Sequence, residues 1–189
     1  MIGVGEQFPE FQMEGVDRYN VLVTETNESV FADHEWVILY FYPKDFTFIC
    51  PTEIQGFDSI SRESETNHVL NTAGTHALLD VKVVGISPDN EYCKLNWKYQ
   101  NDLIGDLSHT LLADSGNILA DELGIVSDAG VPYRATYIVN TREDDLIMHM
   151  SVNWLDTGRS SDEVRRTLMA LSEGGLTGCE WQAGDELVA

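Results

Sequence analysis

Three stretches, 37–42, 81–86 and 136–139, are runs of apolar and β-branched residues with little polar alternation, the pattern of strands buried on both faces. A fourth, 146–152, reads "LIMHMSV" and follows the third across the polar turn "NTREDD", which predicts an antiparallel hairpin. Helical character fills the gaps at 50–65, 90–101 and 115–123. A last helix is predicted over 160–173, opened by a capping serine and early acids in "SSDEV" and stopped by Gly174 and Gly175. Strands alternating with helices imply an α/β fold, with a mixed sheet flanked by helices.

Composition narrows this further. A chain of 189 residues, 43% of them hydrophobic, suits one compact core, so a single domain is expected over 1–189, with a core to 175 and a tail over 176–189. No apolar run reaches the roughly 18 residues needed to span a bilayer, and residues 1–17 lack the basic start and apolar middle of a signal peptide. A cytoplasmic protein is expected. The 32 acidic residues against 11 basic ones leave a formal net charge of -21, which would repel nucleic acid and anionic membranes. Acids spread along the whole chain, with few lysines, fit a folded protein adapted to a high-salt cytoplasm, as in a halophilic organism.

Candidate chemistry centres on three cysteines, Cys50, Cys93 and Cys179, too scattered for a disulfide framework. Neither they nor the histidines have C-x-x-C or H-x-x-x-H spacing, so no metal and no cofactor is expected. Cys93 stands one helical turn before Trp97, which favours core packing. Cys50 falls where the first strand turns into a helix, in "YFYPKDFTFICPTEI". Unpaired N–H groups and the dipole favour a thiolate there, and Pro51 fits a first helical turn. Thr47 and Thr52 offer hydroxyls, and Phe41, Phe46 and Phe48 an apolar wall. Position alone leaves two readings open, a nucleophile or an inert buried thiol.

"YPKDFTFICPTEI" resembles the active-site segment of the peroxiredoxins, whose pattern P-x-x-x-T-x-x-C is met by Pro43, Thr47 and Cys50 and continues through "PTE". "VVGISPD", "YRATYIVN" and "TGRSSDEVRRTLMAL" extend the resemblance over nearly the whole chain and toward the alkyl hydroperoxide reductase type. The resemblance implies a thioredoxin-like fold with an N-terminal extension and thiol-dependent reduction of hydrogen peroxide and organic hydroperoxides. It implies that Cys50 is the peroxidatic nucleophile, that Thr47 binds the peroxide, that Pro43 shields the site and that Arg134 stabilises thiolate and peroxide. Glu53 and Arg159 are weaker carry-overs, either groups that hold Arg134 or a surface salt bridge. Cys179, in "GGLTGCEWQAGDEL", resembles a resolving cysteine that would form an intersubunit disulfide, with Trp181 nearer to it than in the family's C-P-A-x-W spacing. A homodimer, in the family often a ring of five dimers, and a thioredoxin-like donor are implied. "GDLSHTLLAD" lacks the GG-L-G insertion of easily over-oxidised relatives, which implies resistance to sulfinic acid formation. The rival reading is an oligomeric holdase chaperone of the same fold.

Overall fold

The structure, a computed structural model, describes residues 1–70 and 80–188. Among these, β3 (Trp36–Phe41) is an interior strand of a seven-stranded sheet, parallel to β4 (Val81–Ser87) and antiparallel to β6 (Arg134–Asn140). Every residue of β3 is buried, which explains its unbroken apolar run. Its side chains alternate between two cores. Val37, Leu39 and Phe41 enter one, Trp36, Ile38 and Tyr40 the other.

β5 (Thr110–Ala113) lies parallel to β4, and β1 (Gln12–Val16) and β2 (Leu22–Thr26) extend that side antiparallel. β7 (Leu146–Asn153) closes the opposite edge as the second arm of the predicted hairpin with β6. The order β2-β1-β5-β4-β3-β6-β7 is mixed, as the sequence implied.

Helices α1 (Asn27–Phe31) and α4 (Ile118–Glu122) cover the first core together with Phe8 and Phe11. The second core takes Ile54, Phe57 and Ile60 of α2 (Cys50–Leu70), Trp97 of α3 (Glu91–Gln100), and Val164 and Leu168 of α5 (Ser161–Glu173). Each such fully buried aliphatic or phenyl side chain stabilises by roughly 1.5–3 kcal/mol relative to exposure, so tertiary packing holds α2 more than helix propensity does. Tyr40 fits only because β4 carries Gly85 beside it; a Cβ there would lie 2.5 Å from the Tyr40 hydroxyl.

Several boundaries differ from the sequence reading. α2 runs past residue 65 to Leu70. α4 starts three residues late, because Gly116 and Asn117 take left-handed backbone (φ 89° and 57°) that a helix cannot propagate. α5 is capped as predicted, with Ser160 accepting from the Glu163 amide at 3.2 Å and Gly174 at φ 71°. Beyond it residues 176–188 run mostly exposed over the surface, anchored at one point. Trp181 is buried, its indole N–H donates to the Asp185 carbonyl, and the Val188 amide donates to the Leu176 carbonyl. Among the described residues no helix is long and apolar enough to cross a membrane.

Candidate active site

Cys50 is the first helical residue of α2, and its side chain is fully buried in the second core. The antiparallel register opposes Tyr40 to Thr136, so Arg134, two residues earlier on β6, comes level with the end of β3 beside the Cys50 turn. Its Nη1 donates to Cys50 Sγ at 3.4 Å and also to Glu53 Oε2. Its Nε donates to the Leu155 carbonyl at 2.7 Å, which fixes the plane of the guanidinium.

Glu53 lies one helical turn after Cys50 and therefore on the same side of α2. Its second oxygen accepts from Arg159 Nε at 2.8 Å and from the Arg159 amide at 3.0 Å. Arg159 Nη1 donates to the Ala135 carbonyl at 2.7 Å, and the guanidinium sits over the rings of Tyr40 and Phe57, 5.4 and 5.2 Å from their centroids. The Glu53, Arg134 and Arg159 side chains are only 2–5% exposed, so the surface salt bridge considered for Glu53 and Arg159 is ruled out by burial. Two guanidiniums and one carboxylate leave one surplus positive charge beside the sulfur.

Behind this group lies a buried chain that sequence reading missed. The Tyr40 hydroxyl is 2.8 Å from His109 Nε2, and His109 Nδ1 is 3.1 Å from Asp58 Oδ1, which also accepts from the Ser108 amide and hydroxyl. Burial pushes the Tyr40 phenol well above its ordinary value, against the pull of Arg159, so Tyr40 stays a neutral donor. Burial also lowers His109, against the carboxylate of Asp58, which favours a neutral ring accepting at Nε2. No spacing signal joins residues 40, 58 and 109.

Pro43 is buried in the turn between β3 and α2. Thr47 is half-buried, and its hydroxyl donates to the Lys44 carbonyl at 3.0 Å, which leaves the same oxygen able to accept a hydrogen bond. The expected wall of phenylalanines is not there. Phe41 points into the opposite core, Phe46 is 49% exposed and Phe48 is 96% exposed. The apolar surroundings of Cys50 are its own core, with Tyr40, Tyr42, Ile54 and Phe57. Cys93 is only partly covered while Trp97 is buried, and burial with the nearby Asp45 and Asp89 pushes the Cys93 thiol up to about 11. Cys179 is exposed beyond α5, near Arg166, which pairs with Glu163 and donates to the Trp181 carbonyl at 3.2 Å.

A buried sulfur beside a rigid cation, with polar groups that can receive developing charge, is suited to nucleophilic attack on a small electrophile. Residues 4–144 match the model of the AhpC/TSA family. The alkyl hydroperoxide reductase C of Mycolicibacterium smegmatis is 31% identical, with 100% of this chain and 94% of that protein aligned. A putative peroxiredoxin of Bacillus subtilis, YkuU, is 32% identical over 97% of this chain and 96% of its own. Among solved structures, the reduced 2-Cys peroxiredoxin of Plasmodium vivax superposes with a TM-score of 0.83 at 28% identity, covering 98% of this chain and 92% of that one. With the family model spanning most of the chain and these relatives aligned end to end, the chain belongs to the AhpC/TSA family.

Proposed function

We propose that this protein is a thiol-dependent peroxidase that reduces hydrogen peroxide and organic hydroperoxides at Cys50. The observation that carries the reading is the Arg134 guanidinium, 3.4 Å from a fully buried Cys50 sulfur and braced through Glu53 by Arg159. The Cys50 thiolate attacks one peroxide oxygen, and the O–O bond breaks. The departing oxygen takes the bond's electron pair and a proton and leaves as water or an alcohol, while Cys50 becomes a sulfenic acid. Arg134 stabilises first the thiolate and then the charge on the departing oxygen, Thr47 hydrogen-bonds the peroxide, and Pro43 keeps water out. Glu53 and Arg159 orient Arg134.

In the second step the Cys179 thiol of a partner subunit attacks the sulfenic sulfur, releases water and forms a disulfide. A thioredoxin-like dithiol donor returns both cysteines to thiols. The minimal unit is a homodimer, and a ring of dimers is compatible with the same exchange.

Peroxide consumption supplied with thioredoxin, its reductase and NADPH tests the reading. Cys50→Ser is expected to lose all turnover, and Arg134→Met to lose about 100- to 1,000-fold in the rate of sulfenate formation, the range for removing one preorganised charge-stabilising donor. Turnover persisting in Cys50→Ser would refute the mechanism.

A further inference from the structure

The loop from Pro43 to Ile49 is pinned by a charge pair that the chemistry above does not use. Lys94, on α3, is completely buried, as is the side chain of Asp45 in the loop. Its ammonium is 3.4 and 3.5 Å from the two Asp45 oxygens, 3.5 Å from the Tyr42 hydroxyl and 5.3 Å from the centroid of that ring. It also donates to Ser87 Oγ, and that hydroxyl donates onward to Asp45 Oδ1 at 2.9 Å. The Asp45 amide is held in turn by Asp89 Oδ2 at 2.8 Å. The loop is therefore fastened to the ends of β3 and β4 and to α3.

What this fastening opposes is visible one residue on. Phe46 has φ 53°, a left-handed backbone that a bulky side chain adopts only when its surroundings impose it. Its ring packs on Trp97, one turn after Lys94 on the same helix, at 5.9 Å between centroids. The residue after this strained one is Thr47. A buried ion pair is a poor way to gain stability, because apolar replacements of similar volume are often at least as stable, whereas it does fix geometry.

We propose that Lys94, Asp45 and Ser87 are positioning residues that hold Phe46 in its left-handed conformation and so set the Thr47 hydroxyl and Pro43 over the Cys50 sulfur. The inference rests on the proposed reading of Cys50 and Thr47. It makes the trio a determinant of peroxide reactivity in particular. A small alkylating agent at the same sulfur does not need Thr47 in place.

Two rates on the full-length protein separate these. One is Cys50 sulfenate formation by hydrogen peroxide in single turnover; the other is Cys50 alkylation by iodoacetamide, followed by the mass of its peptide. Lys94→Met is expected to slow the peroxide reaction about 100-fold, the cost of misplacing a reacting group by about 1 Å, while alkylation stays level or rises. Ser87→Ala, which deletes one oxygen and keeps both charges, should show the same split with a smaller factor, and it decides the matter if Lys94→Met does not fold. An unchanged peroxide rate, or equal losses in both rates, would overturn the proposal. Peroxide turnover by Cys50→Ser would instead refute the reading of the site, whatever the Lys94 variant does.

Discussion

The two ends of the proposed reaction are built in opposite ways. Cys50 is fully buried at the start of a helix, beside a guanidinium and a braced carboxylate, so its surroundings are organised before any substrate arrives. Cys179 is exposed, on a segment held by one buried indole and a few backbone hydrogen bonds. A sulfur that must discriminate peroxide from water gains from rigidity and dryness, whereas one that must travel to a second sulfur gains from weak attachment. Since one thiol is sealed in and the other lies outside, the first turn of α2 has to open before they meet.

Removing the exposed partner gives the largest effect. Peroxide-treated wild type is expected to run as a covalent dimer on a non-reducing gel and Cys179→Ser as a monomer, while the first sulfenate forms at an unchanged rate. Under excess peroxide with recycling, the wild-type Cys50 peptide should carry little sulfinic acid and the Cys179→Ser peptide much, because nothing captures the sulfenate. An intrachain disulfide, or one to Cys93, would break the comparison.

Loosening the rigid partner comes next. Glu53→Gln leaves the Arg134 and Arg159 guanidiniums in a site where each side chain is at most 5% exposed, without their carboxylate. Breaking a buried pair in this way typically costs about 3–5 kcal/mol, readable as a lower denaturation midpoint in urea. A loss below about 1 kcal/mol, the usual worth of a solvent-exposed pair, would mean that solvent reaches the site.

Legibility in the sequence divides along the same line. The run in β3 was legible because both of its faces are buried, and the Cys50 turn because a proline and a first-turn cysteine are local signals. β1, β2, β5 and α1 were missed. All four span only four or five residues, too few for a period to register. Arg134, Glu53 and Arg159 came into view only through the family motif, because their meeting depends on β3–β6 register and not on spacing. Lys94 and Asp45 were invisible for a deeper reason. Hydropathy reads a charge as surface, and only the fold reveals two charges enclosed with each other. The phenylalanine wall failed because the alternation of β3 sends Phe41 into the opposite core, and beyond the strand the left-handed Phe46 redirects the chain.

A smaller effect probes the buried polar chain behind the site. Burial holds His109 below its ordinary value of 6.5, against Asp58 and with Lys98 and Arg62 adding to the shift, and His149 is lowered by burial too. The unfolded chain therefore binds these protons first as pH falls. Stability from these groups is complete above pH 6.5 and declines as pH drops below it, by at most about 1.4 kcal/mol per pH unit for each histidine. Asp58, lowered by hydrogen bonds from His109, Arg62 and Ser108 in spite of its burial, loses its own contribution only below its ordinary 3.8. Urea midpoints measured downward from pH 8 should begin to fall near 6.5, and His109→Gln should flatten that slope. A slope unchanged by the substitution would mean that folding does not lower the affinity of His109 for its proton.

Salt provides the mildest test, because it acts on one region and spares the other. The Debye length shrinks from about 30 Å at 10 mM salt to about 3 Å at 1 M, which screens exposed charges far more than enclosed ones. The Arg166–Glu163 pair beside the tail is 26% and 61% exposed, against 2–5% for the Arg134–Glu53–Arg159 group. Peroxide is neutral, so no electrostatic steering is lost either. Sulfenate formation at Cys50 should therefore vary little between low and molar potassium chloride, whereas the rate of disulfide formation with Cys179 should shift as tail attachment changes. Global stability should move as well, with a melting temperature that rises with salt as repulsion within a chain of net charge -21 is screened. A flat melting temperature would remove the salt-adapted reading of the acidic coat. A sulfenate rate that tracked salt as closely as the disulfide rate would mean that the charges around Cys50 are open to solvent, and the contrast between the two cysteines would fail.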